Sequence, residues 1–578
     1  MSNRQTTPAT RTAACGRPAL LAVAIAAAIS AGQAQAFMVT NSSDMRIMWD
    51  TTAKYSAMYR LTDQHDQLVA DTQGNWPNTD DGNRNFDKGL VSSRVDVLTE
   101  LDVIYKRNYG LRLSGAAWYD SQYQDSNDND SPTTSNTLST DYNEFTQGTK
   151  DLHGQSAEML DYFAFGRVRL GDMSLTGRIG SHTMVWGESL FFGGNGIANG
   201  QAPIDVAKAM AVPSVQFKEL MRPVEQISGQ LQISRDVSVG AYYQLDFKKT
   251  RLPGSGSYFS SVDFLSEGAE QMLLAADGSA YFKRVADKEA SDNGQFGFQL
   301  RFRTDDADYG LYAIRYHSKA PNINVRPNGS PYADDDGRTR VGDYRWLYHE
   351  GIKAFGASAT RTIGNFNFAG EVSFRYNTPL NSDAAVDLSV ASGGAVAPGG
   401  NTAGTALYAV GKTAHAQINW LASIGPNFLS READFLGEIA YNHVREVTSD
   451  RGYTSENLDS GGPQGVLNPN GDRDAWNMRL VYSPKYRQVL SGLDLSVPVV
   501  LGYGLHGNSL AEGSFMGEKT GDLSLGVEGT YLDVWRFGVN YTNFFGPVDN
   551  TIDENGHGSY KQAMADRDNI SFNIRRTF

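Results

Sequence analysis

VSSRVDVLTELDVIY (91–105) can be read as two faces. Val91, Val95, Val97, Leu101, Val103 and Tyr105 fall on one side, and Ser92, Arg94, Asp96, Glu100 and Asp102 on the other. A period of two with one apolar and one charged face is a β-strand whose sides meet different media. FNFAGEVSFRY (366–376) and DVWRFGVNY (533–541) repeat the pattern. Such runs exceed the roughly 5–6 residues usual in globular sheets and reach the roughly 9–11 that a tilted membrane-crossing strand needs. A soluble sandwich would alternate too, so connection lengths must decide.

Candidate strands begin near Arg46, Val91, Tyr109, Met159, Ser174, Val224, Val237, Gln295 and Asp308 in the first half. In the second half they begin near His349, Phe366, Ala406, Asp434, Asp474, Gly492, Gly521, Asp533 and Arg567. Short links (107–108, 171–172, 235–236, 305–307, 363–365, 532–533) alternate with long ones. The long links are 61–90, 122–158, 185–223, 250–293, 320–346, 378–405, 447–472, 505–519 and 547–565. Short turns on one rim and long loops on the other describe a transmembrane antiparallel β-barrel. The expected fold is therefore all-β, with about 18 strands. The longer short-side links near Gly425-Pro426 and Pro484–Ser491 leave 16 open.

Other features agree. Arg4, Arg11 and Arg17 precede an apolar run, Ala19–Ile29, and Ala34-Gln35-Ala36 is a small-x-small site. Residues 1–36 therefore read as a cleaved secretory signal, and 37–578 as one barrel domain. The sole cysteine, Cys15, leaves with the signal, so neither disulfides nor thiol metal sites are expected. Loss of the three arginines takes the net charge from −14 to −17, which argues against nucleic acid as a partner. Sixty glycines, 28 tyrosines and 27 phenylalanines beside a negative mean hydropathy suit a wall between lipid and water. The closing stretch puts Ile570, Phe572, Ile574 and Phe578 on one face, which resembles the signal that barrels present to the outer-membrane insertion machinery.

Trp186–Pro223, opening WGESLFFGGNGIANG, fits neither strand nor long helix. Its charges cancel, unlike the mostly acidic long loops, so it is expected to fold inward as a constriction. Trp186, Phe191 and Phe192 are the apolar contacts, and Glu188 and Asp205 the polar anchors. Ile204–Ala211 is expected to be a short helix ended at Pro213, and Val262–Ala276 another short helix on the rim. The polar faces assign to the lumen Arg94, Asp96, Glu100, Asp102, Arg167, Arg169, Asp246, Arg301, Arg303 and Arg315. They also assign Glu371, Arg375, Glu438, Arg479, Glu528 and Arg536. Charges of both signs are tolerable in a water-filled bore and expensive on a lipid face. They either select solutes or form a salt-bridged filling that stiffens the wall.

Catalytic signatures are sparse: there is no G-x-S-x-G elbow, H-E-x-x-H or phosphate-binding glycine loop. His182 and His317 would be the first candidates for a hydrolase assembled across the wall. The acidic clusters Asp125–Asp130 and Asp334–Asp336 miss the EF-hand pattern and read as solvated loops, with a divalent-cation bridge to lipopolysaccharide as the alternative. No cofactor and no metal site is expected.

DDGNRNFDKG (80–89), WGES-LFF-NGI-N (186–199), PID (203–205) and Tyr348–Lys353 leading into Gly356-Ala357-Ser358 resemble a proteobacterial family of exported proteins, domain-of-unknown-function family 1302. The resemblance implies an outer-membrane barrel of a Gram-negative bacterium, associated with lipids, steroids or other hydrophobic compounds. It supplies no catalytic residues. The expected function is a channel for small hydrophobic or amphipathic molecules, contacting membrane lipid, lipopolysaccharide and a periplasmic partner for the cargo. The alternatives are a general porin, an adhesive surface barrel and an outer-membrane hydrolase.

Overall fold

The computed structural model describes residues 37–42, 44–69, 77–454 and 465–578. The expected signal segment, 1–36, lies outside these residues. The wall is a closed barrel of 18 antiparallel strands. They are β1 (Met45–Arg60), β2 (Gly89–Tyr105), β3 (Tyr109–Asp120), β4 (Gln155–Leu170), β5 (Met173–His182) and β6 (Val224–Gln232). Next come β7 (Val237–Gln244), β8 (Gln295–Arg303), β9 (Asp308–Tyr316), β10 (Ile352–Ile363), β11 (Phe366–Pro379) and β12 (Val410–Ile424). The ring continues through β13 (Glu432–Ser449), β14 (Asp474–Leu490), β15 (Leu493–Ser496 with Val499–His506), β16 (Gly521–Tyr531), β17 (Trp535–Phe545) and β18 (Asn569–Thr577). Closure is by β18 on β1, from Thr52↔Thr577 to Arg60↔Asn569, extended by reciprocal backbone bonds between Thr51 and Phe578. A short strand, Phe37–Asn41, pairs with β1 from Trp49 to Arg46, continuing the edge that β18 leaves.

The short turns are tight. Gly364 at φ 59° serves the two-residue link from β10 to β11. Leu532 and Asp533 take φ 53° and 58° in the β16–β17 turn, where the left-handed backbone matches the twist of the strands. The stretch Pro484–Ser491 is not a long link, because β14 runs on to Leu490. That resolves the count at 18 rather than 16.

Alternation gives the wall its two faces. On β11 the outward Val372, Phe374 and Tyr376 are 48%, 44% and 37% exposed, against 5%, 3% and 3% for the inward Glu371, Ser373 and Arg375. An apolar outside around a polar inside inverts a soluble barrel and suits a bilayer. No helix among the described residues is long and apolar enough to cross one.

The bore is uneven along its axis. Near the long loops inward side chains are buried, whereas toward the short turns both faces are open, as at Arg167–Leu170. Long loops fill the first half and form a cap. Its centre is a second sheet in the order Ala385–Val386, Asn322–Ala333, Thr339–Leu347, Ala280–Arg284, Gln271–Leu273. Val262–Ala276 is therefore not a helix: it is a run of turns entering the edge strand Gln271–Leu273, with Val262, Phe264 and Met272 packed on Phe282, Val325 and Tyr344. Two of the family-like stretches contribute packing and hydrogen bonds to the cap. Phe86 meets Tyr123, Phe145 and Tyr258 at ring distances of 5.6, 5.7 and 5.6 Å. His349 bridges Tyr408 Oη (2.8 Å) and Asn377 Oδ1 (3.0 Å).

Candidate functional site

The insertion between β5 and β6 enters the bore and crosses it, each leg tied to a different part of the wall. The first leg, 186–201, lies along β7–β13. Trp186 packs edge-on to Tyr242 with ring centroids 5.0 Å apart, over Gly240 and Gly297, where side chains would take its place. Glu371 on β11 accepts the N–H groups of Glu188 (2.7 Å) and Ile197 (2.8 Å). Glu438 on β13 accepts those of Leu190 and Phe192 (3.1 Å each) and of Phe191, and the Ser189 hydroxyl at 3.1 Å. Arg375, on the same face of β11 as Glu371, adds the opposite polarity, its Nη2 donating to the carbonyls of Gly194, Asn195 and Gly196 at 2.8, 2.7 and 2.9 Å. Asn195 bonds His415 and Gln417 on β12, and Asn419 donates to the Glu188 carbonyl.

Backbone capture of this kind needs glycine. A Cβ at Gly187 would collide with Oε2 of Glu371, and one at Gly196 would lie 2.6 Å from its Oε1. Gly187 also sits at φ 93°, a conformation other residues rarely take. Charge-assisted bonds to a buried carboxylate are each stronger than neutral ones, so Glu371 and Glu438 hold the leg firmly.

The second leg, 203–223, bonds the opposite wall. Val206–Ala211 is the expected short helix, starting two residues later than Ile204 and capped by Asp205, whose Oδ1 accepts the Lys208 N–H at 2.8 Å. Oδ2 of Asp205 takes Arg251 at 2.7 Å, and Arg251 reaches Glu158 on β4 at 2.8 Å. Burial opposes the charge on Arg251, but these two carboxylates hold it above its ordinary range. Burial pulls nearby Arg222 down to about 10. Lys54 on β1 donates to the Pro213 carbonyl. Ser214 meets Glu528 on β16 (3.3 Å) and Asn573 on β18 (3.2 Å), and Lys218 pairs with Glu100 on β2.

The residues expected at the constriction therefore divide. Trp186 and Glu188 lie in the first leg against the wall, and Phe191 keeps 36% of its surface exposed. Phe192 is buried against Phe515, with centroids 5.5 Å apart, and the Asp205 carboxylate faces its own loop and Arg251 rather than open bore.

Of the expected lumen residues, Glu371, Arg375, Glu438 and Glu528 anchor the insertion, and Glu100 does so through Lys218. Arg94 pairs with Asp96 at 2.8 Å, and Arg479 with Asp522 at 2.8 Å. Asp102 pairs with Arg112, which also takes Glu100. Arg167, Arg169, Arg301, Arg303 and Arg536 stand exposed; Arg303 is paired with Asp308 and Arg301 lies 3.9 Å from Glu188.

Arg315 is a correction. The inward face of β9 carries Tyr312, Ile314 and Tyr316, packed with Ile197 of the insertion, so Arg315 points outward at the rim and bonds the Gly294 carbonyl. Asp246 follows β7 in a loop. Arg112, Lys54, Asn195, His415 and Asn419 were not singled out in the sequence. Arg112 was detectable, since Leu111 and Leu113 flank it in the same alternation.

Below Ser214, on the open side, a cavity of about 240 Å³ is lined by Lys485, Arg487, Asp494, Glu528, Arg536 and Arg575 among others. His182 and His317 are spent structurally. His182 bonds Ser228 Oγ (2.8 Å) and the Gly180 carbonyl (2.9 Å), so both ring nitrogens are occupied. His317 spans the Asn293 carbonyl and the Gly351 N–H, 3.0 Å each. Asp334–Asp336 forms a turn in which Asp334 accepts the N–H groups of Asp336 and Arg338.

A family model described as a protein of unknown function, DUF1302, matches residues 17–578. The chain belongs to the DUF1302 family. No curated protein matches this DUF1302 chain. Among solved structures it is similar to OccAB3 of Acinetobacter baumannii, at 8% identity, covering 92% of this chain and 99% of that one with a TM-score of 0.41. OccAB2 of the same organism gives 10%, 94%, 99% and 0.41. OpdK of Pseudomonas aeruginosa, solved with vanillate, gives 9%, 92%, 98% and 0.39.

Proposed function

We propose that this DUF1302 barrel is an outer-membrane channel of a Gram-negative bacterium for small amphipathic organic molecules, with the 186–223 insertion as its constriction. The observation carrying this reading is that the wall's buried Glu371, Arg375 and Glu438 hold one leg of the insertion while Glu528 and Glu100 take the other from the opposite wall, so that the segment crosses the bore. A barrel that served only as a scaffold for outer loops needs no such device. The apolar outer face supports a bilayer setting, with β18 as the part offered to the insertion machinery and the long loops toward lipopolysaccharide. Partly exposed Phe191, whose N–H bonds the Glu438 carboxylate, supports cargo with both an apolar body and a polar end, handed to a periplasmic partner.

The test is reconstitution. Wild type and a variant lacking 187–200 are compared in liposomes for single-channel conductance, for swelling in sugars of graded size, and for uptake of a fluorescent fatty acid. The deletion should raise conductance several-fold, and wild type should pass the fatty acid in preference to sugars. Sugar flux alone would make it a general porin, and no flux of either kind from both proteins would overturn the channel reading.

A further inference from the structure

Far from the insertion, three carboxylates meet inside the cap. Asp80 and Asp81 belong to the loop after β1, and Asp263 to the loop after β7. They are 0%, 3% and 0% exposed, and each offers an oxygen within 4.8 Å of the other two. Asp81 accepts the Asn136 N–H (2.9 Å) and Asn129 Nδ2 (3.3 Å), both from the loop after β3. Asp263 accepts the Asp81 N–H through Oδ2 at 3.1 Å, while its Oδ1 is buried with no hydrogen-bond partner. Among the described residues Arg84 pairs with Asp80 at 2.6 Å and is shared with Asp130.

Carboxylates packed this closely and out of water are strongly unfavourable unless a proton or a cation compensates them. Oxygens sharing a calcium ion lie about 2.3–2.6 Å from it, hence up to roughly 5 Å from each other, as these do. The all-oxygen set, without His or Cys, fits a hard cation.

We propose that Asp80, Asp81 and Asp263 bind one calcium ion, which clamps the loops after β1, β3 and β7 into the cap. The exposed run 334–336 is not its seat, whereas the run 125–130 borders the triad through Asn129, which bonds Asp81, and Asp130, which pairs with Arg84. Asp80–Asp81 opens a family-like stretch for which the channel reading has no use, and the clamp gives it one. Gly82 fits the same picture, because a Cβ there would lie 2.5 and 2.6 Å from the carbonyls of Ser260 and Ser257, so the two loops meet without a spacer.

The experiment uses the full chain in detergent micelles, stripped with EGTA and titrated with calcium chloride by calorimetry, with hydrogen exchange read at 77–88 and 255–273. Wild type should take up one ion and gain at least tenfold protection in both segments. Asp263→Asn should bind at least tenfold more weakly, and Asp335→Asn, in the exposed run, should match wild type. If Asp263→Asn fails to fold, wild type alone still decides. Absence of calcium uptake, or uptake without added protection of these segments, overturns the proposal in favour of protonated carboxylates.

Discussion

Glu438 is wholly buried in the barrel wall and spends one carboxylate oxygen on three backbone N–H groups of another segment. Glu438→Gln removes the charge and puts a donor where only acceptors fit. A hydrogen bond to a charged group contributes about 1.5–3 kcal/mol, so losing this cluster's charge should release the first leg. The expected readout is noisier, larger conductance with the barrel still resistant to heat in detergent. Unchanged conductance would deny Glu438 its anchoring role. Gly196→Ala should act similarly, since its methyl group would lie 2.6 Å from Glu371. A different buried charge, Lys319 in the cap, donates to Gln295 Oε1 at 2.6 Å, and burial pulls its amine down to about 7. Its folded form favours the neutral amine, while the unfolded chain stays charged up to the ordinary value of 10.5. The resulting penalty is full below pH 7 and fades as pH rises toward 10.5. Lys319→Met should therefore raise the urea midpoint at pH 6.5 and raise it less at pH 10. An equal gain at both would show that the charge is not the cause.

At the level of elements, the wall strands could be read in the sequence and the cap could not. Alternation along β2, β11 and β17 reports two different solvents directly, and it located the turns to within a few residues. The cap strands Gln271–Leu273 and Ala385–Val386 have three and two residues, too few for any period to register. They exist because longer partners recruit them. Arg315 was misread for the opposite reason: apolar parts of the insertion cover the inner wall there, so the rule of polar inside fails on β9. The acidic triad was hidden because Asp263 lies 182 residues from Asp81, whereas the acidic runs 125–130 and 334–336 are contiguous. One weakness in the wall is visible in both sequence and structure. Pro484 on β14 and Pro498, in the break within β15, each lack the N–H that a ladder needs. The amides of Val497 and Gly526 bond the carbonyls of Pro484 and Pro498 at 3.0 and 2.9 Å, but neither proline can return a bond, so amide exchange there should be faster than in the doubly bonded rungs of the wall. Replacing both prolines with valine should slow it and delay heat unfolding; no change would mean the seam is already as tight as its neighbours.

For the whole molecule, the order of events during assembly follows from where the insertion is tied. Glu188 is bonded to a carboxylate 183 residues further along the chain, Leu190 to one 248 residues further, and Ser214 to one 314 residues further. Contacts so distant in sequence form late, after the chain between them has been gathered. The insertion is therefore a latecomer: the strands that hold it must first curl into a ring around a segment still loose. During refolding into micelles, a protease should keep cutting within 187–200 after the barrel has acquired heat resistance, and stop later. Simultaneous protection of both would refute that order. A newly closed ring would thus pass through a leaky youth, briefly open to solutes that the mature protein excludes.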